Sequence, residues 1–150
     1  VTDAALQIQN LVFRYAELID LGDFDGLGHL LADAEVGAAD SPGSLTGHDA
    51  VVAMFTGTTR RHPDGTPRTK HVTSNCIIEV DEAIGIGTCR SYFTVLQQVG
   101  PLPLQPIIAG RYHDRFERED DVWRFAERRF FIDLVGDLSQ HLLSPLPEDS

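Results

Sequence analysis

The hydrophobic period changes once along this chain, near residue 70, and that change limits the fold more than any other feature. Before it, apolar residues recur at helical spacing: Ile8, Leu11, Val12, Tyr15, Leu18 and Ile19 form one stripe. Beyond it come four long runs rich in β-branched and aromatic residues, His71 to Val80, Ile84 to Gln98, Ile107 to Glu119 and Val122 to Val135. Helices first and then a strand meander is the α+β pattern. Long neighbouring antiparallel strands twist and curl. N-terminal helices can cover the concave side, so the expected shape is a cone-like α+β barrel with one interior pocket. A chain of 150 residues supports one such core and reads as a single domain, with 136–150 as a C-terminal tail.

Local signals mark the element ends. Thr2 and Asp3 are cap residues for the first helix, and Gly22-Asp23 stops it. Asp23 then caps a short helix from Phe24 to Leu31. Ala34 to Ala39 reads as a short strand, and Asp40-Ser-Pro-Gly as a loop. Thr46-Gly-His-Asp leads into a third helix carrying Val51, Val52, Met54 and Phe55, followed by a loop from Arg60 to Arg68. Pro101-Leu-Pro-Leu-Gln-Pro106 reads as a loop, because proline cannot donate to a ladder. Glu119-Asp120-Asp121 turns the last hairpin, and the tail holds one helical turn at Leu138 to Leu143.

Charge and motif content exclude several function classes. With 23 acidic and 12 basic side chains the formal charge is −11, which repels phosphate backbones and argues against nucleic-acid binding. No apolar run approaches the roughly 20 residues of a membrane helix. No basic-then-apolar leader opens the chain, and two cysteines make no disulfide scaffold, so a reduced, cytoplasmic setting is expected. None of the six histidines pairs with another at His-x-His or i, i+4 spacing, so no metal is expected. There is no glycine-rich phosphate loop and no Gly-x-Ser-x-Gly elbow, and the expected chemistry is cofactor-free.

Strand parity assigns the faces. On the first long strand Val72, Cys76, Ile78 and Val80 share one face, and His71, Thr73, Asn75 and Ile77 the other. On the fourth, Trp123, Phe125 and Phe131 lie on one side and Ala126, Arg128, Phe130 and Ile132 on the other. Both faces then carry large apolar groups, which calls for a second cover, and another copy of the chain is the economical one. Asp81-Glu82-Ala83 as a three-residue loop pairs Val80 with Ile84. That puts Cys76 and Cys89 on opposite faces, whereas a two-residue loop would place them directly across from each other; both are expected as free thiols. Asp20 falls at the edge of the first helical stripe, and His71 opens a strand. Each reads either as a solvated end residue or as half of a carboxylate–imidazole dyad in which Asp20 orients His71 as a general base.

Three stretches together resemble the SnoaL-like branch of the nuclear-transport-factor-2-like superfamily. They are Ile8-Gln-Asn-Leu-x-x-Arg-Tyr-Ala-x-x-Ile-Asp20, His71-Val-Thr-Ser-Asn75, and Gly110-Arg-Tyr-x-Asp-x-Phe-Glu-Arg with Val122-Trp-Arg-Phe. The resemblance is nearest to scytalone dehydratase and hexachlorocyclohexane dehydrochlorinase, which pair an aspartate on the first helix with a histidine on the first long strand. Asp20 and His71 match those catalytic positions. It implies the cone-shaped fold and a trimer built through the sheet, with the His71 face toward the pocket and the Val72 face outward. It also implies a pocket lined by Tyr15, Met54, Phe55, Asn75, Cys89, Ser91, Phe93, Ile108, Tyr112, Arg128, Phe130 and Ile132, with Tyr112, Ser91, Asn75 and Arg128 as polar anchors. The chain departs from scytalone dehydratase at Ile19, Phe93, Gly110 and Tyr112, so the groups that grip its phenolic substrate are missing.

These readings converge on a cofactor-free lyase or isomerase acting on a small hydrophobic, often cyclic, molecule, with elimination of water favoured. Tyr112 or Arg128 would stabilise developing negative charge. The rival is a non-catalytic ligand-binding or oligomerisation domain, like the small subunits of ring-hydroxylating dioxygenases, since fold alone does not fix function. In either case a homo-oligomer is expected, a trimer before a dimer.

Overall fold

In the computed structural model, residues 3–39 and 43–146 are described. Three helices, α1 (Ala4–Leu21), α2 (Phe24–Leu30) and α3 (His48–Thr58), pack on one sheet. Its strands are β1 (Glu35–Ala38), β2 (Leu45–Thr46), β3 (Thr69–Asp81), β4 (Ile86–Val99), β5 (Leu102–Glu119) and β6 (Val122–Val135). The spatial order is β2-β1-β6-β5-β4-β3. The sheet is mixed, not purely antiparallel as expected, because β1 adds to β6 in parallel. It is also open, with β2 and β3 at its edges.

The helix ends follow their local signals. Asp3 Oδ1 accepts from the backbone N–H of Ala5 (2.8 Å) and Leu6 (3.2 Å). Thr2, the other expected cap residue, lies outside the described residues, as does the 40–42 part of the expected loop. Gly22 ends α1 at φ 72°, and its N–H donates to Ile19 O. Glycine is required there twice over: the conformation is left-handed, and a Cβ would sit 2.2 Å from the Gly65 carbonyl oxygen. Asp23 Oδ1 caps α2 by accepting from Gly26 N–H at 2.8 Å. Ile8 and Val12 of α1, Leu27 of α2 and Val51 of α3 are fully buried against Phe116 and Phe125 of the sheet.

Two bulges overturn the face assignments. On β3 the register runs to Ser74↔Tyr92 and resumes at Ile77↔Arg90, with Asn75 at φ 55°. One extra residue shifts every later side chain to the other face. His71 and Thr73 therefore point inward, and so do Cys76, Ile78 and Val80, while Val72 and Ile77 are exposed. Asn75 is exposed on the bulge. On β6 the pairing jumps from Arg115↔Glu127 to Phe116↔Phe125, leaving Ala126 extra. Trp123 and Phe125 before the bulge, and Arg128 and Phe130 after it, all face the helices. The apparent two-sided apolarity of this strand largely disappears.

Two loops also differ. The β3–β4 connection is four residues long, with Asp81↔Ile86 as its closing pair and Gly85 at φ 68°. Val80 consequently pairs with Gly87, and Cys76 and Cys89 face the same interior as free thiols, not opposite sides. Residues 102–106, expected as a loop, are the start of β5. The two prolines within that start, Pro103 and Pro106, are tolerated because β6 ends at Val135, opposite Ile108, so this stretch pairs with β4 alone. Register shifts at Val95/Leu96 and Gln97/Val99 absorb the missing donors. The expected turn at Asp120 and Asp121 is a two-residue hairpin turn with both residues at positive φ (51° and 63°).

Candidate active site

Asp20 sits in the last turn of α1, directly over the first residues of β3. Its carboxylate collects three hydrogen bonds. Oδ2 accepts from the His71 backbone N–H at 2.8 Å, and Oδ1 from the Thr69 hydroxyl at 2.8 Å and from His71 Nδ1 at 2.7 Å. The Asp20 side chain is 11% exposed and the His71 side chain 6%. A carboxylate already accepting from a backbone N–H and a hydroxyl takes its third bond from Nδ1–H, which leaves the lone pair on Nε2. Oriented in this way, the imidazole can receive a proton at Nε2, and the adjacent carboxylate would stabilise the resulting cation.

His71 lines a cavity of about 390 Å3, within the range of small-molecule sites. Ile19 of α1, Met54 and Phe55 of α3, Phe93 and Val95 of β4, Ile108 of β5, and Phe130 and Ile132 of β6 form its walls. Tyr15 and Tyr112 form the floor with Phe93. The Tyr15 and Tyr112 ring centroids are 5.7 Å apart, and Phe93 stacks on Tyr112 at 4.5 Å. Glycine at position 110 permits that stack, since a Cβ would lie 2.7 Å from the Phe93 ring and 2.0 Å from the Phe131 carbonyl oxygen. Tail residues His141, Leu142 and Ser144 to Leu146 complete the lining.

Of the sequence-derived lining residues, Tyr15, Met54, Phe55, Phe93, Ile108, Tyr112, Phe130 and Ile132 meet in this cavity. Asn75 does not, because the bulge turns it outward. Cys89 and Ser91 face inward but precede Phe93 on β4 and do not line the cavity. Burial pushes the Cys89 thiol up to about 12, so it is no nucleophile at neutral pH. Arg128 lies behind the floor and is fully buried. Its guanidinium forms two 2.8 Å bonds to Asp114 and stacks 3.7 Å from the Tyr112 ring centre and 4.2 Å from that of Tyr15. Burial opposes its charge, but Asp114 outweighs burial and holds the guanidinium firmly protonated. It braces the two phenols and does not line the cavity. Burial also pushes both phenols up, against the pull of Arg128, and keeps them neutral.

Sequence reasoning missed Ile19, Gly57, Thr58, Thr59, Val95 and the tail residues of the lining. It also missed a polar cluster outside the pocket. Asp25 and His29 of α2 and His48 of α3 bring their ligand-type atoms within 4.8 Å of one another. Asp25 and His29 stand at i, i+4 spacing in the sequence, but histidine pairs alone do not reveal them. His48 donates to Asp49 (2.8 Å) and Asp25 (2.7 Å), and these bonds raise its pKa.

Residues 1–129 match the SnoaL-like domain family. The chain belongs to that family. Its solved structural neighbours have the cone-shaped α+β fold of nuclear-transport-factor-2-like proteins. A candidate scytalone dehydratase from Novosphingobium aromaticivorans is 24% identical, with a TM-score of 0.68 over 89% of this chain and 86% of that one. LinA, a hexachlorocyclohexane dehydrochlorinase, is 20% identical with a TM-score of 0.69, covering 95% of each chain. The beta subunit of a candidate aromatic-ring-hydroxylating dioxygenase from Novosphingobium aromaticivorans is 17% identical, with a TM-score of 0.67 over 88% and 90%. No curated protein matches the chain significantly. Among the described residues, no helix of this SnoaL-like domain is long and apolar enough to cross a membrane.

Proposed function

We propose that this SnoaL-like domain is a cofactor-free lyase that eliminates water from a small hydrophobic, often cyclic, molecule. The observation that carries the reading is the 2.7 Å contact from His71 Nδ1 to Asp20, which leaves Nε2 free beside an apolar cavity. Nε2 takes a proton from a carbon next to an electron-withdrawing group. The C–H electron pair becomes the new C=C bond, the C–O pair departs with the hydroxyl, and the imidazolium returns its proton to form water. Asp20 holds the tautomer and offsets the positive charge. General-base action of this kind supplies on the order of 10²–10⁴-fold, and positioning in a dry pocket adds to it. Arg128 has no direct part, which leaves Tyr112 to stabilise developing negative charge.

The test is a panel of one- and two-ring β-hydroxy ketones, read as gain of enone absorbance. His71→Ala should abolish turnover with little change in fold. Asp20→Asn should keep the shape and lose most of the rate, because the hydrogen bond persists without the charge. Turnover that survives His71→Ala would refute the dyad. The second reading is a binding or oligomerisation domain, favoured by the likeness to a dioxygenase subunit and by an exposed apolar outer sheet face. That reading gains if no panel member turns over while the same molecules bind. On either reading, the outer face carries a homotrimer.

A further inference from the structure

The C-terminal tail brings a second histidine into the pocket. After β6 the tail makes one helical turn, in which Leu142 N–H donates to Leu138 O, and then runs beside the end of α3. Several bonds fasten it there. Arg60 N–H donates to His141 O at 2.7 Å, and Leu143 N–H to Thr58 O at 3.0 Å. Gln97 Nε2 donates to Gln140 O at 3.0 Å, and His62 Nε2 to the same oxygen at 2.9 Å. All of these use the tail's backbone atoms, so none requires a particular side chain at position 141. Yet the residue there is a histidine, 7% exposed, that lines the cavity with its ring centre 6.3 Å from that of His71. Its Nδ1 is buried with no hydrogen-bond partner among the described residues. An unpaired buried nitrogen costs stability, and an apolar ring would fill the same space without that cost. The other ring nitrogen, Nε2, is not enclosed in this way, and it is there that an oxygen on a ligand in the cavity can meet the ring.

We propose that His141 is a substrate-binding residue that hydrogen bonds a hydroxyl or carbonyl oxygen on an otherwise apolar ligand, at the end of the pocket where His71 acts. The inference deepens the lyase reading and rests on it only for which end of the ligand reacts. Burial, with His71 alongside, pushes the His141 pKa down to about 4, so at neutral pH the ring is uncharged. A neutral imidazole presents one N–H and one lone pair. A hydroxyl can answer either, and a carbonyl answers the N–H. A carboxylate or phosphate finds no cation there and enters against a chain charge of −11, so the favoured substrate class is neutral.

Equilibrium dialysis of 1-naphthol and naphthalene at pH 7.5 tests this without needing turnover. The wild-type protein should bind 1-naphthol about tenfold more tightly than naphthalene, the size expected of one buried hydrogen bond. His141→Phe should bind the two nearly equally and keep its affinity for naphthalene. His141→Gln should regain part of the preference. Because the orphan nitrogen is gone, His141→Phe should also unfold at a urea concentration no lower than wild type. A preference that survives in His141→Phe overturns the proposal, as does failure of 1-naphthol to bind the wild type. Loss of the preference with no measurable lyase activity would leave this inference standing and count against the dyad alone.

Discussion

At the scale of single residues, the site depends on how few groups share each polar atom. Asp20 has three donors, and two of them, Thr69 and the His71 backbone, exist only because β3 begins where α1 ends. That arrangement holds His71 in one tautomer whether or not a ligand is present. His141 is held by its backbone, and its ring is left unmatched. This difference gives it a pH signature. Its folded-state pKa, about 4, lies below the ordinary 6.5, with burial as the main cause. On acidification the unfolded chain takes up the proton near pH 6.5, while the folded one resists until near 4. The contribution to stability is therefore complete above pH 6.5 and is lost as pH falls toward 4. At pH 5 the loss is about 2 kcal/mol. Urea unfolding at pH 7 and pH 5 should show wild type losing about that much relative to His141→Phe, which lacks the titrating group. Equal losses in the two proteins would mean that His141 is not desolvated.

At the scale of elements, the bulges decide which side chains are inside. Without the extra residue at Asn75, Cys76, Ile78 and Val80 would face out and Ile77 in, and the lower half of β3 would present the wrong face to α1. Asparagine tolerates φ 55° better than a β-branched residue does. Asn75→Gly should therefore be near neutral, whereas Asn75→Val should cost about 1–3 kcal/mol from backbone strain. Because Asn75 is outside the pocket, ligand binding per folded molecule should be unchanged in both. A drop in binding with Asn75→Gly would put the residue back among the ligand contacts. The prolines of β5 illustrate the same dependence on neighbours. Pro103 and Pro106 forbid a central strand, but β6 stops short of them, so they extend a strand that is locally at an edge.

At the scale of the molecule, the helices cover one face of the sheet and leave the other open. With the parity corrected, the open face carries Val72, Ile77 and Tyr92, exposed at 47%, 47% and 51%. Phe131 lies there too, under the Arg111 guanidinium at 4.5 Å, with Arg111 paired to Asp133. Ile78 and Val80, which strand parity put on the outward face with Val72, belong instead to the interior. The smaller patch still favours self-association, because apolar groups clustered on a sheet face bury best against a copy of the same face. Light scattering at micromolar concentration should report a trimer, three times the 16.5 kDa chain. Ile77→Lys should shift it toward monomer while leaving the pocket 1-naphthol affinity intact. A wild-type monomer under those conditions would refute the interface.

The sequence by itself determined the features that depend on neighbours a few residues away. The helical stripe of α1 and its ends at Asp3 and Gly22 are of this kind. So are the strand-rich second half and a turn at Glu119-Asp120-Asp121, which rest on period, capping and backbone preference, although the pairing of Glu119 with Val122 is what narrows that turn to two residues. It also determined the placing of Asp20 at a helix end and His71 at a strand start, which family resemblance turned into a pair. Tertiary structure decided everything that needs a partner strand or a distant segment. A bulge is one residue more than the neighbouring strand has, so Asn75 and Ala126 cannot be recognised from their own strands alone. Arg128 looks like a ligand anchor until Asp114 and two phenol rings close around it. His141 is an unremarkable tail histidine until β4, α3 and the loop after α3 bind the backbone around it and turn its ring toward His71, a contact across 70 residues that no local period encodes.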